Sequence, residues 1–88
     1  MEKLILNDGT ELEKSHAHED TNVNMLFVYT ENNYTMKDVF DLLFDQEKAK
    51  KIVYNREDGQ SATFRGYKRL IDVRDEGGGM ITAALRKN

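Results

Sequence analysis

The sequence predicts an α+β domain in which a mainly antiparallel, bent sheet or half-open barrel of about six strands, in the order βββ-α-βββ, packs against one amphipathic helix. Three observations carry this expectation. Short apolar runs separated by Asp-Gly and Gly-Gly-Gly turns occupy both ends of the chain. A single middle stretch has helical rather than alternating periodicity. No strand-helix-strand alternation that would build a parallel sheet is visible. With 88 residues there is room for one domain, residues 1–88, and one modest core.

The elements follow in order. Leu4-Ile5-Leu6 and Glu11-Leu12-Glu13 flank Asp8-Gly9, which as a two-residue hairpin loop sets Ile5 opposite Leu12. Lys14 to Asn24 is polar and lacks helical periodicity, so it reads as a strand extension followed by a loop. Met25-Leu26-Phe27-Val28-Tyr29 is a continuous apolar run rich in β-formers, suited to a central strand. Thr35 and Asp38 have capping-box spacing, and Met36, Val39, Phe40, Leu43 and Phe44 form one apolar stripe at i, i+3, i+4, i+7 and i+8. Asp45 to Lys51 either continues this helix or forms a separate turn capped by Asp45, with its lysines favourably placed near a helix C-terminus.

The last third returns to strands. Ile52 to Glu57 and Ser61 to Tyr67 flank Asp58-Gly59, and a two-residue loop pairs Val53 with Phe64 and Asn55 with Ala62. Leu70 to Asp75 and Met80 to Leu85 flank Gly77-Gly78-Gly79, and a three-residue loop pairs Ile71 with Leu85 and Val73 with Ala83. Inward residues are even-numbered at Ala62 and Phe64 but odd at Ile71 and Val73, so the pleat must change phase at a bulge or turn, expected at Gly66. The core expected from these pairings is Ile5, Leu12, Leu26, Val28, Val39, Phe40, Leu43, Val53, Phe64, Ile71, Val73, Ala83 and Leu85. Two hairpin-rich halves around one helix hint at a weak pseudo-symmetry.

Charge is uneven along the chain. Residues 1–47 carry 3 Lys/Arg against 11 Asp/Glu, and residues 48–88 carry 10 against 5, giving minus 8 and plus 5 within a net charge of −3. Either the halves neutralise each other or a basic surface is kept for an acidic partner. The composition, 39% hydrophobic and 33% charged, is that of a folded globular chain rather than a disordered one. Without cysteine there is neither a disulfide framework nor a thiolate metal site. The apolar run at Leu4-Ile5-Leu6 is too short for a signal-peptide core or a membrane span, so no membrane association and an intracellular location are expected.

Four features carry potential chemistry. His16 and His18 share a strand face beside Glu19 and Asp20, but without a third ligand at fixed spacing they are expected to be exposed and metal-free. Glu11 with Glu13, and Asp41 with Asp45, read as solvated faces rather than acid–base pairs. The triple glycine lacks the following Lys-Ser/Thr and the helix of a phosphate loop, and reads as a turn. The fourth feature is a candidate interaction face of Tyr54, Arg56, Arg65, Tyr67, Lys68 and Arg69, where aromatic rings among cations suit base stacking and phosphate contact. Against nucleic acid stand a pI of about 5.3 and the interruption of the patch by Glu57, Asp72 and Asp75.

Leu4 to Glu11, the Met36–Phe44 helix with Asp45-Gln46-Glu47-Lys48 after it, and Phe64-Arg65-Gly66-Tyr67-Lys68-Arg69-Leu70 resemble small uncharacterised proteins encoded in prophages of Gram-positive bacteria. The resemblance spans most of the chain and rests on turn and core residues. It implies an accessory or morphogenesis protein, cytoplasmic in a bacterial host cell or associated with the virion. The expected function is thus a non-enzymatic structural or interaction module without cofactor or metal, contacting a protein partner or its own copies. The alternative is a weak single-stranded nucleic-acid binder using the C-terminal basic and aromatic face.

Overall fold

The structure is a computed structural model that describes residues 2–31 and 34–87. Among these residues the chain runs β1 (Lys3–Ile5), β2 (Glu11–Glu13), β3 (Ser15–Asp20), β4 (Met25–Thr30), α1 (Met36–Phe44), α2 (Gln46–Ala49), β5 (Lys51–Asn55), β6 (Ser61–Arg65), β7 (Arg69–Gly77) and β8 (Met80–Arg86). The α+β class and the antiparallel pairing agree with the sequence, but eight strands replace about six and two short helices replace one. The bent sheet resolves into two four-stranded sheets, ordered β2-β1-β5-β6 and β3-β4-β8-β7.

The chain passes from one sheet to the other where one residue takes a left-handed backbone. Lys14 (φ 50°) separates β2 from β3, and Gly66 (φ 85°) lies between β6 and β7. A positive φ turns the chain out of the ladder it was in, at no steric cost for Gly and some cost for Lys. Both corners are pinned by backbone bonds: Glu31 N–H donates to Lys14 C=O at 3.0 Å, and Gly66 N–H donates to Lys50 C=O at 2.9 Å. Since β2 and β6 are the edges of one sheet and β3 and β7 the edges of the other, the sheets are linked along both edges. The same plan also makes β1–β4 and β5–β8 topologically equivalent, so the hinted pseudo-symmetry is present in strand order.

Both Asp-Gly turns close around three residues rather than two. Leu6 N–H donates to Thr10 C=O (2.8 Å) and Arg56 N–H to Gln60 C=O (2.8 Å), enclosing Asn7-Asp8-Gly9 and Glu57-Asp58-Gly59. Each Asp carboxylate accepts from the N–H two residues on, at 3.0 Å in Thr10 and 2.9 Å in Gln60. Each glycine then supplies the positive φ that returns the chain to the ladder. Leu12 therefore pairs with Leu4 and Phe64 with Ile52. Because a one-residue slip reverses every side chain, Leu4 and Ile52 are fully buried, whereas Ile5 and Val53, expected in the core, are only half-buried.

The third hairpin also differs. Gly77 pairs with Met80 around a two-residue Gly78-Gly79 loop, not a three-residue one. Val73 faces Ala83 as expected, but Leu70 takes the place opposite Leu85, and Ile71 is the extra residue of a bulge between Leu70 and Asp72. The phase change expected at Gly66 is thus divided: Gly66 changes sheet, and Ile71 changes parity. Ile71, expected in the core, stands exposed.

α1 begins at a complete capping box. Thr35 Oγ1 accepts from Asp38 N–H and the Asp38 carboxylate accepts from Thr35 N–H, each at 3.1 Å. Asp45 leaves the helix with an extended backbone and caps α2, accepting from the N–H groups of Glu47 and Lys48, so the following turn is separate from α1. The α2 end receives the first hairpin: Asn7 N–H donates to Lys48 C=O at 2.9 Å and its side-chain amide to Glu47 C=O at 3.1 Å. Val39 and Leu43 enter the core with Leu4, Leu12, Leu26, Val28, Ile52 and Leu85; Tyr67 joins them. Phe40, expected there, does not.

Candidate interaction surface

The six residues expected to form one face are divided by the fold. In the observed register Tyr54 lies opposite Ala62 on the side of buried Ile52, while Arg65 lies opposite Lys51 on the other side. The Tyr54 hydroxyl donates to the Glu2 carboxylate, and the Arg56 guanidinium sits 5.7 Å from the centre of the Tyr54 ring. Tyr67 is 1% exposed; its hydroxyl donates to Glu19 Oε2 at 2.5 Å, and the Lys87 ammonium lies 4.9 Å from its ring centre. Burial first, and then the carboxylate each hydroxyl contacts, pushes both tyrosines up to about 12 from the ordinary 10. Arg56, Arg65, Lys68 and Arg69 are exposed. The structure therefore keeps the cations outside, buries the Tyr67 ring and leaves the Tyr54 ring half-buried with its hydroxyl held by Glu2, so the two rings do not form one exposed stacking platform.

The other sequence features are placed as follows. His16 stacks on Tyr29 (4.6 Å between ring centres, 17° between planes) with Nδ1 3.8 Å from Glu2 Oε1, whereas His18 is exposed. No group of three or more His, Asp or Glu among the described residues could hold a metal ion. Glu11 pairs with Lys3 at 3.0 Å, Asp41 pairs with Lys37 at 2.7 Å, and Asp45 caps α2. Among the described residues one ion pair, Lys50–Glu47, joins the acidic and basic portions, and its partners are only three residues apart. No helix of the described residues is long and apolar enough to cross a membrane.

A surface that sequence reasoning missed runs between α1 and β7. Met36, Phe40 and Phe44 are 43%, 45% and 63% exposed, and the two phenyl rings stack at 5.0 Å. Across from them stands Ile71, 44% exposed because the bulge turns it outward, with half-buried Leu70 and Val73 packed against the core beside it. Together with Lys37 and Asp72 these residues line a groove of about 490 Å³. Beyond Ile71 a second concavity of about 460 Å³ follows the outer face of the second sheet, over Met25, Phe27, Tyr29 and Ala84. Ile71 and Asp72 line both, so the two concavities adjoin at the bulge.

One signal for this surface is the width of the helix stripe. At 100° per residue its five members span roughly 140°, with Val39 and Leu43 along one edge and Phe40 and Phe44 along the other. A helix of nine residues laid on one sheet buries one edge of such a stripe. The charges at the groove are already matched, Lys37 to Asp41 at 2.7 Å and Asp72 to Arg74 at 2.6 Å. The arrangement offers aromatic and aliphatic anchors between neutralised charge pairs, the chemistry of an apolar contact. No family model matches this chain, and no curated protein or solved structure is significantly similar to it.

Proposed function

We propose that this protein is a non-enzymatic interaction module that docks onto a protein partner through the groove between α1 and β7. One observation carries the reading: four large apolar side chains, Met36, Phe40, Phe44 and Ile71, stand exposed around one groove of an 88-residue chain. Single exposed apolar residues are ordinary, but a contiguous group is a recurrent mark of a contact surface. Keeping such residues in water forgoes the stabilisation their burial supplies, and a partner that covers them recovers it. The resemblance to small prophage-encoded proteins supplies the setting, an accessory or morphogenesis role in a bacterial cell, in the cytoplasm or on the virion.

The test uses an environment-sensitive dye, 1-anilinonaphthalene-8-sulfonate, with dilute native protein. Enhanced fluorescence is expected, and it should disappear in the Phe40→Asp, Ile71→Asp double variant while circular dichroism stays unchanged. Native protein that leaves the dye dark contradicts the reading.

A further inference from the structure

The α1 ridge has the same spacing in both directions. Met36 and Phe44 each lie four residues from Phe40, and all three are exposed on one edge of the helix. We infer that the groove is occupied by a second copy of this chain, docked about a two-fold axis that sets Phe40 against the partner's Phe40; this rests on the groove being the contact surface. An antiparallel α1 pair then brings Met36 against the partner's Phe44 and Phe44 against the partner's Met36. Thioether–ring and ring–ring contacts of this kind are favourable at the offset geometries such a pair adopts.

A two-fold contact requires a self-complementary surface, and each copy carries both parts: the α1 ridge and the wall made by Leu70, Ile71 and Val73. Charge agrees. The chain as a whole is at −3, and residues 1–47 at minus 8, so most surfaces of the acidic portion would repel their own copy. At the groove, however, each side pairs one cation with one anion, Lys37 with Asp41 on α1 and Arg74 with Asp72 on β7. Two such rims meet without opposing like charges, and a strongly acidic or basic partner finds no excess of opposite charge there.

Area sets the strength. Phe40 and Phe44 are 45% and 63% exposed. The two rings therefore offer on the order of 200 Å² per copy. With the flanking aliphatic side chains the pair of copies reaches the low end of specific interfaces, about 1,000 Å² in total, which suits a dimer of roughly micromolar affinity.

Sedimentation velocity across a concentration series tests this, with single-thiol cross-linking as a geometric readout. The chain contains no cysteine, so any introduced thiol is unique. The mass should rise from 10.2 kDa towards twice that value as concentration passes through the micromolar range, and Phe40→Asp, or Phe44→Asp as an independent variant, should hold it at 10.2 kDa. Phe40→Cys should cross-link to itself, and Met36→Cys should couple to Phe44→Cys in a mixture faster than to itself. A mass that stays at 10.2 kDa in protein that still brightens the dye overturns the second-copy inference and leaves the groove reading standing; a constant mass without dye response overturns both. A dimer that survives both Asp variants, or Met36→Cys coupling to itself as fast as to Phe44→Cys, overturns the two-fold arrangement.

Discussion

The two edges of α1 differ in fate although they belong to one apolar stripe. Val39 and Leu43 are fully buried among the core residues, while Met36, Phe40 and Phe44 remain 43% to 63% exposed. Hydrophobic periodicity marks which residues avoid water, but coverage is decided by the elements opposite. Here the element opposite is β7, and its bulge turns Ile71 outward so that it faces Phe40 across an open groove instead of closing over it. One edge thus belongs to the core and the other stays open to solvent.

The largest expected effect separates the edges by stability. Leu43→Ala should lower unfolding free energy by about 2–5 kcal/mol, a large share of what a small domain has. Phe40→Ala should cost less, about 1–2 kcal/mol, because the ring is only half withdrawn from water and loses its stack on Phe44. Urea titrations of both variants check this, and equal losses would erase the distinction between the edges.

Tyr67 extends the comparison to an aromatic residue that is buried because its polar tip is satisfied. Tyr67→Phe leaves the Glu19 carboxylate without its donor and should cost roughly 1–3 kcal/mol. The folded-state value of about 12 lies above the unfolded 10, so the folded protein holds the hydroxyl proton more tightly. That stabilisation is complete below pH 10 and is lost as pH rises towards 12. Melting temperatures measured across this window should fall in the wild type and fall less in Tyr67→Phe; identical slopes would contradict the assignment.

Thr35→Ala removes the capping-box acceptor and should cost about 1 kcal/mol. Because it frays the start of α1, it should lower both the helical signal and the dye response, whereas Phe40→Ala should lower the dye response and leave the helical signal in place. Circular dichroism and dye fluorescence on the same samples distinguish them. The smallest effect expected is with nucleic acid. With Tyr54 and Tyr67 bound to carboxylates, a labelled single strand should show little salt-dependent anisotropy change, and neutralising Arg56 and Arg65 together should alter little. Micromolar binding lost in that double variant would restore the nucleic-acid reading.

Local chemistry was legible where one segment determines the outcome. The Thr35–Asp38 box is set by neighbouring residues and is observed, and of the two readings open for Asp45 to Lys51 the separate turn capped by Asp45 is the one present. Loop length was not. Asp-Gly serves a two-residue loop only if Asp also takes a positive φ; in the three-residue loop Gly alone does, and the freed Asp carboxylate bonds the backbone two residues on. That difference of one residue placed Leu4 and Ile52 in the core instead of Ile5 and Val53. It also put Tyr54 and Arg65 on opposite sides of their sheet. The groove was hidden for a related reason. Ile71 looks like a pleated core residue until the bulge between Leu70 and Asp72 is known, and with Ile71 assigned inward Phe40 has every reason to follow.

The most direct test of the division between the edges is urea unfolding of Phe40→Asp at low and high protein concentration. A half-exposed Phe40 predicts that in dilute solution the variant stays folded and loses no more than about 2 kcal/mol relative to the wild type. It also predicts that only the wild-type midpoint rises with protein concentration, because association stabilises the folded state by mass action. A Phe40→Asp protein that is unfolded or destabilised by several kcal/mol in dilute solution would contradict the account, since a charge is ruinous only where the ring is buried.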